Sequence, residues 1–197
     1  MTTFAALLSG RPLVAILRGV APGEAVRLAG AVWDSGLGVV EVPIQTPDAV
    51  ASLAAVAAAA RDRGEVCGAG TVISADQVRA AADSGAAFTV APGLDLDVLR
   101  ASESAGLPHL PGVATASEVQ RALRAGCVWL KAFPAGALGA GWFRDMRGPF
   151  PGVRFVATGG VGAHNAAEFL GAGATALGVG GAITRPGGLD ELLAVLG

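Results

Sequence analysis

Two ionisable side chains stand inside strongly apolar stretches of the sequence, where a charge is costly. Lys131 lies in VWLKAFP (128–134), and among the fourteen lysine and arginine residues of the chain it is the only lysine. Glu41 lies in VVEVPI (39–44), another apolar run. Burying an isolated ionised group costs several kcal/mol unless the group is paired or neutralised. We therefore expect both side chains to have a specific task in the folded protein.

The chemistry open to a buried lysine differs from that of an arginine. A guanidinium stays protonated, whereas a desolvated ammonium can lose its proton and become a nucleophile. The free amine can attack a ketone and form a Schiff base. A nearby carboxylate could move the protons that carbinolamine formation, dehydration and carbon–carbon cleavage require. Lys131 and Glu41 thus predict Schiff-base catalysis; the alternative is a structural ion pair across the interior.

The elements that would position these residues recur along the chain. Apolar runs start 20 to 27 residues apart, about the length of one βα unit. Between them lie helix signals such as Ser74 with Gln77 and Thr115 with Glu118, the pattern of a capping box. The eight runs are LVAILRG (13–19), VVEVPI (39–44), VCGAGTV (66–72), FTVAPG (88–93), PHLPGVA (108–114), VWLKAFP (128–134), RFVATGGV (154–161) and ALGVGGAI (176–183).

Continuous apolar runs are typical of a parallel sheet that is covered on both faces. Eight βα units predict the α/β class and one (β/α)8 TIM barrel over residues 1–197, with an extra N-terminal helix at 3–9 under the barrel floor. The alternative, an open doubly wound sheet, would need a nucleotide fingerprint after the first strand, and ILRGVAPGE is not one. No linker or change in composition indicates a second domain.

Active sites of such barrels lie at the carboxyl ends of the strands. Arg18 lies there at the end of the first predicted strand, and its guanidinium could hold a carboxylate or a phosphate through two hydrogen bonds. Thr71 ends the third run and could donate to the same anion or cap the next helix. His109 precedes an apolar strand and is predicted to be structural, and His164 is predicted to be solvent-exposed in a first helical turn.

Glycine pairs stand near the ends of the seventh and eighth runs, in ATGGV and GVGGA, where the loops after these strands begin. They comprise Gly159 with Gly160 and Gly180 with Gly181. These two loops of a barrel frequently bind phosphate through backbone N–H groups, and glycine lets the backbone approach the anion closely. The position of the pairs predicts a phosphate site; the alternative is a set of ordinary turns.

Composition excludes several function classes. A net charge of −2 with mixed signs does not indicate a nucleic-acid partner. The start of the chain lacks a signal peptide and the longest uncharged apolar run (49–60) is too short to span a bilayer, which predicts a cytoplasmic protein without membrane contact. Cys67 and Cys127 have no metal-ligand spacing and are predicted to be buried free thiols. No three metal ligands converge, so neither a metal nor another cofactor is expected.

An ordered set of motifs carries a family resemblance from about Pro12 to Ile183. Together they resemble the 2-keto-3-deoxy-6-phosphogluconate (KDPG) and 6-phosphogalactonate (KDPGal) aldolases. The motifs are PLVAILRG, VVEVPIQTP, GAGTV, APG, PGVATASE, LKAFPAG, ATGGV and LGVGGAI.

The resemblance implies a class I aldolase on a (β/α)8 barrel, usually a homotrimer, that cleaves a phosphorylated 2-keto-3-deoxy acid to pyruvate and glyceraldehyde 3-phosphate. Lys131 matches the Schiff-base lysine of the family and Glu41 its proton-transfer acid. The resemblance further assigns residues to the pyruvyl pocket and to the phosphate loops. They are Thr71, Pro92, Phe133 and Thr158 for the pocket, and Gly159, Gly160, Gly180 and Gly181 for the loops.

Two positions depart from the gluconate-type pattern. Gluconate-type enzymes resemble ExTLRT after the second strand and place an arginine on the substrate carboxylate, whereas this chain has Gln45 there, closer to the galactonate type. Arg18 is then expected to carry more of the carboxylate binding. Ala182 stands where gluconate-type enzymes tend to have a serine that contacts phosphate. The sequence favours the galactonate type without fixing the C4 configuration of the substrate.

Three other functions are compatible with the residues. An aldolase for 4-hydroxy-2-oxoglutarate would use the same chemistry without a phosphate. A phosphate-binding barrel isomerase would use Glu41 as its base, with Lys131 acting only through its charge. A non-catalytic binding barrel would leave the cost of burying Lys131 and Glu41 unexplained.

Overall fold

The computed structural model describes residues 3–197, and its strands and helices alternate along the chain. The strands are β1 (Leu13–Ile16), β2 (Gly38–Pro43), β3 (Cys67–Gly70), β4 (Thr89–Val90), β5 (His109–Leu110), β6 (Gly112–Val113), β7 (Trp129–Ala132), β8 (Arg154–Thr158) and β9 (Ala176–Val179). The helices are α1 (Phe4–Leu7), α2 (Pro22–Asp34), α3 (Pro47–Arg63), α4 (Ala75–Asp83), α5 (Leu96–Ser104), α6 (Ala116–Arg124), α7 (Ala135–Arg147), α8 (Ala166–Ala172), α9 (Gly181–Thr184) and α10 (Gly188–Leu196).

The strands form one parallel sheet that closes on itself. Their order is β5-β4-β3-β2-β1-β9-β8-β7-β6, so the two ends of the sheet are β5 and β6. These two are consecutive in the chain and are separated only by Pro111, whose carbonyl accepts a hydrogen bond from the Lys131 amide at 2.9 Å. β5 and β6 therefore act as one barrel strand. Each of the eight predicted runs overlaps its strand, with β2 beginning one residue before its run, and the prediction of a (β/α)8 barrel in a single domain is confirmed.

The predicted helix starts are present where the capping signals stand. Ser74 precedes α4, and its hydroxyl accepts a hydrogen bond from the Gln77 amide at 3.2 Å. Thr115 and Glu118 form a complete capping box at α6, in which each side chain accepts from the backbone amide of the other residue. Each of these bonds satisfies an amide that the first helical turn leaves without an internal partner.

Helix α1 covers the amino-terminal end of the barrel. Phe4, Leu7 and Leu8 are buried against side chains that point into the barrel, and the rings of Phe4 and Phe88 meet edge to face with centroids 5.5 Å apart. A β-carbon at Gly68 would lie 2.1 Å from the Phe88 ring, so a glycine is needed in β3 at this height. The floor of the barrel is thus filled by hydrocarbon, which leaves the opposite end for chemistry.

His109 lies on β5 and is buried. Its Nδ1 lies 2.8 Å from the Thr89 hydroxyl oxygen, which in turn bonds to Ser102 at 2.9 Å. Burial lowers the pKa of His109 to about 4, with a smaller opposing effect from the charge of Asp95. The imidazole is therefore neutral near pH 7 and sits in a hydrogen-bonded cluster at the floor side of the barrel, as a structural histidine would.

The two cysteines have different surroundings. Cys67 is buried in β3, and burial raises the pKa of its thiol. Cys127 is only partly buried, contrary to the expectation of two buried thiols, because it lies in the turn before β7; burial raises its pKa to about 11. Across residues 3–197, no helix has the length and apolar character needed to cross a bilayer.

Candidate active site

Lys131 and Glu41 meet in the barrel interior although their strands are not neighbours. Glu41 is on β2 and Lys131 is on β7, with β1, β9 and β8 between them in the sheet. The Lys131 Nζ lies 3.9 Å from the Glu41 Oε1, and the side chains are 4% and 2% exposed. This distance is that of an ion pair and is longer than a hydrogen bond. Closure of the barrel therefore brings together two charges that are 90 residues apart in the printed sequence.

The environment of Glu41 strengthens it as a base. Burial raises the pKa of its carboxyl group, and the positive charges of Lys131 and Arg18 oppose this rise. Its Oε2 is buried and has no hydrogen-bond partner in the part of the chain from residue 3 onwards. A purely structural carboxylate normally has its oxygens satisfied, and an orphaned one is a common feature of functional sites.

Two glycines in the strands make room for polar side chains of the site. A β-carbon at Gly70 would lie 3.0 Å from Cδ of Glu41 and within 3.2 Å of both carboxyl oxygens. A β-carbon at Gly178 would lie 2.2 Å from the Thr158 hydroxyl oxygen. Neither distance is available to a real β-carbon without movement. The glycines of β3 and β9 therefore leave the space that the side chains of Glu41 and Thr158 occupy.

A cavity of about 900 Å³ reaches Lys131, while Glu41 does not line it. The Phe133 ring stands beside the ammonium in its wall, with its centroid 5.5 Å from the Lys131 Nζ. Both glycine pairs also line the cavity, so the predicted phosphate loops and the predicted nucleophile share one space. The predicted site residues in the wall are Arg18, Lys131, Phe133, Thr158, Gly159, Gly160, Gly180 and Gly181.

Four predicted site residues, including Glu41, are not part of that wall. Thr71 has φ of 58°, and its hydroxyl oxygen is 3.5 Å from the Arg18 Nη2, a long contact that links it to the cavity through Arg18. Gln45 is exposed just beyond β2, and Pro92 is half-buried beyond β4. The structure therefore brings Arg18 and Thr71 together but leaves Gln45 and Pro92 outside the cavity wall.

Three wall residues with ionisable side chains were not predicted as site residues. Arg185 and Glu191 both line the cavity and form an ion pair with each other. His164, which the sequence placed at the active end of the barrel, also lines the cavity and is exposed, as expected. The available signal for Arg185 was a cation placed four residues after Gly181, the end of the second glycine pair.

The sequence and the fold of this chain are similar to those of known aldolases. A family model described as "KDPG and KHG aldolase" matches residues 5–191. The 2-dehydro-3-deoxy-6-phosphogalactonate aldolase of Escherichia coli K12 is 38% identical over 177 residues, which cover 89% of this chain and 86% of the relative.

Two solved structures show the same barrel. A native KDPGal structure is 35% identical with a TM-score of 0.83 and covers 94% of this chain and 90% of the other. A KDPG aldolase from Legionella pneumophila, with pyruvate captured as a covalent carbinolamine intermediate, is 30% identical with a TM-score of 0.84 and covers 98% of this chain and 93% of the other. The model match over nearly the whole chain, together with these relatives, shows that this chain is a lyase that belongs to the KDPG and KHG aldolase family.

Proposed function

We propose that this chain is a class I aldolase that cleaves a 2-keto-3-deoxy-6-phospho sugar acid, KDPGal or KDPG, to pyruvate and glyceraldehyde 3-phosphate. The observation that carries the proposal is the buried Lys131 with Glu41 at 3.9 Å, beside a cavity in a chain of this family. A buried charge pair that only stabilised the fold would gain little, because desolvation offsets most of the attraction. A nucleophile and a proton carrier need this arrangement.

The reaction follows from Lys131 as nucleophile. The neutral amine adds to the C2 ketone to give a carbinolamine, and loss of water gives an iminium on Nζ. A base removes the proton of the C4 hydroxyl, the C3–C4 bond breaks, and its electron pair moves into the iminium to form an enamine. Glyceraldehyde 3-phosphate leaves, the enamine is protonated at C3, and water releases pyruvate and returns the amine of Lys131.

Glu41 is the proton carrier in this scheme. Its raised pKa makes its carboxylate a stronger base than an exposed glutamate, closer to the strength that proton transfer near neutral pH favours. Its unpartnered Oε2 leaves one oxygen free to exchange a proton with the substrate or with a water. The same group can return protons in the dehydration and hydrolysis steps, since each step uses the opposite protonation state from the one before.

The remaining contacts divide between the two ends of the substrate. We assign the carboxylate to Arg18, with Thr71 beside it, and the pyruvyl carbons to the wall formed by Phe133 and Thr158. The phosphate is assigned to the backbone N–H groups of the two glycine pairs, Gly159–Gly160 and Gly180–Gly181, which line the same cavity. The contacts of Gln45 and Pro92 with substrate stay predictions, as do the homotrimer and the cytoplasmic location.

Gly181→Val should weaken phosphate binding selectively. A β-carbon at Gly181 would meet no atom within 4 Å, so the valine fits and its methyl groups occupy the cavity next to the loop amides. We expect KM for the phosphorylated substrate to rise about tenfold or more, while trapping of pyruvate on Lys131 is changed far less. Steady-state kinetics and borohydride trapping measure the two effects.

The matched control for this change is Gly171→Val. Gly171 is an exposed glycine of α8 whose β-carbon also meets no atom within 4 Å, and it does not line the cavity. Gly171→Val also replaces a helical glycine by valine, but it places no methyl groups in the substrate cavity. If both variants raise KM equally, the phosphate is not bound at this loop. The same conclusion follows if Gly181→Val impairs the trapping of pyruvate on Lys131 as strongly as it raises KM.

The substrate is tested by comparing the two C4-epimeric phosphorylated acids with 4-hydroxy-2-oxoglutarate, which the name of the family also includes. We expect the galactonate epimer to have the highest kcat/KM, by about tenfold or more, because Gln45 and Ala182 depart from the gluconate pattern. A coupled assay for pyruvate release measures all three. A higher kcat/KM on 4-hydroxy-2-oxoglutarate would overturn the phosphorylated substrate in favour of that alternative. The isomerase alternative has no support, since the family is one of lyases.

A further inference from the structure

An arginine and a glutamate face each other in the wall of the substrate cavity. Arg185 follows α9, and Glu191 lies in the first turn of α10. The Arg185 Nη1 lies 3.1 Å from the Glu191 Oε1, and the Nη2 bonds to the Oε2, so the two planar groups meet through two parallel contacts. Their side chains are 50% and 53% exposed. The two groups are well aligned for a bidentate ion pair, but both side chains remain accessible to water.

Such a pair is easily exchanged for another anion. An exposed ion pair contributes only about 0.2–1 kcal/mol, because solvent screens the attraction and two side chains lose freedom. The same fork of N–H donors fits a phosphate as well as a carboxylate. A phosphate that carries close to two negative charges and arrives in the cavity therefore competes favourably for the guanidinium.

The charges in the wall separate into two regions. The formally charged lining residues are Arg18, Lys131, Arg185 and Glu191. Lys131 is engaged with Glu41, and Arg18 lies beside Thr71, so both belong to the keto-acid end. Arg185 stands four residues beyond Gly181, on the segment that carries the second glycine pair. It is the cation nearest in sequence to the loops assigned to phosphate.

The alanine at position 182 leaves the phosphate loop without a side-chain donor, so a nearby positive charge would strengthen phosphate binding. Ala182 lines the cavity directly after the second glycine pair and has no hydroxyl that could donate to a phosphate. Backbone amides alone leave most of the charge of a phosphate without a compensating cation. Arg185 is placed to supply that cation, three residues further along the same segment.

We propose that Arg185 binds the phosphate of the substrate and that Glu191 holds its guanidinium while the cavity is empty, so that carboxylate and phosphate compete for one cation. This inference rests on the proposed cleavage of a phosphorylated acid. It makes the pair a determinant of specificity: Arg185 favours phosphorylated substrates, and Glu191 limits their affinity by occupying the same donors.

The test is a specificity ratio, kcat/KM for the six-carbon keto acid with its 6-phosphate divided by kcat/KM for the same acid without it. Arg185→Gln should lower this ratio about tenfold or more, since it removes the cation. Glu191→Gln should raise the ratio about threefold, since it frees the cation. A general loss of folded enzyme affects both substrates and cancels from the ratio.

The opposite signs distinguish the proposal from a structural ion pair, because either substitution breaks the pair and a structural role would move both variants in the same direction. The matched control is Arg100→Gln, which removes an exposed arginine paired with Asp97 outside the cavity and should leave the ratio within about twofold of wild type. Shifts of the same sign in both cavity variants, or no shift in Arg185→Gln, would overturn the role of Arg185 alone. A wild-type ratio near one would overturn the phosphorylated substrate itself, and the role of Arg185 with it.

Discussion

Lys131→Arg should abolish both substrate cleavage and the trapping of pyruvate on the protein. The guanidinium keeps the positive charge beside Glu41 but is not a useful amine nucleophile, so no iminium forms. We expect a loss in kcat of at least about 10⁴-fold, since removal of a covalent nucleophile can cost about 10⁶-fold in other enzymes. Incubation of wild type with pyruvate and borohydride should add one reduced pyruvyl group per chain, in the peptide that contains LKAFPAG, and activity should fall in step with labelling.

The composition of the chain makes this assignment simple. The printed sequence offers only two amines, the Lys131 side chain and the N-terminal α-amino group. The α-amino group has an ordinary pKa of about 7.7–8.0 and reacts in solution, so peptide mapping of the label has to distinguish the two amines. Lys131→Met, which removes the charge as well, controls for the strain of a larger guanidinium in a buried position. A label found only at the N-terminus, or cleavage by Lys131→Arg, would rule out the Schiff base.

Glu41→Gln should keep the fold and slow cleavage by about 10²-fold or more, the usual contribution of a positioned acid or base. The amide has the size of the carboxyl group and fits the space opposite Gly70, but it cannot accept the proton of the C4 hydroxyl. The pyruvate label should still reach Lys131 after long incubation, since the nucleophile remains. Glu65→Gln is the matched control, because Glu65 pairs with Arg11 away from the cavity.

The pH dependence of kcat gives a second reading of Glu41. The base must be ionised, and burial raises its pKa above the ordinary value of 4.5. The rate of wild type should therefore fall, as pH is lowered, at a higher pH than for an exposed carboxyl group, and Glu41→Gln should lose this limb of the profile. Turnover of Glu41→Gln close to that of wild type would show that the carboxylate is structural.

The sequence was sufficient for the barrel and for the central pair because both depend on local and simple rules. Apolar runs at regular spacing fix where parallel strands must lie, and each of the eight runs overlaps one. The runs contain a single lysine and a single glutamate, and each would carry a large desolvation penalty if it were buried without a partner of opposite charge. This made the contact between Lys131 and Glu41 predictable. The break at Pro111 was not predictable, because it depends on how two strand ends pair.

The wall of the cavity was less accessible to sequence reasoning. Gln45 and Pro92 were assigned by resemblance, yet their loops turn so that neither lines the cavity. Arg185 and Glu191 stand six residues apart in a polar loop and helix start, where an exposed ion pair is the ordinary expectation. Only the path of the chain after β9 places them on the cavity, and hydrophobic periodicity carries no information about such loop paths.

The Glu41 carboxyl group fills the volume beside Gly70, so substitutions at these two positions affect each other although the positions lie far apart in the sequence. Any side chain at Gly70 competes for the volume that the Glu41 carboxyl fills, with three of its atoms within 3.2 Å of the missing β-carbon. The tolerance of each position is therefore conditional on the other, and we expect alanine at 70 to be better tolerated beside a shorter acid at 41 than beside a glutamate. Substitutions at positions 41 and 70, on neighbouring strands, are therefore expected to show epistasis. A different base in this barrel would then evolve through paired changes at both positions.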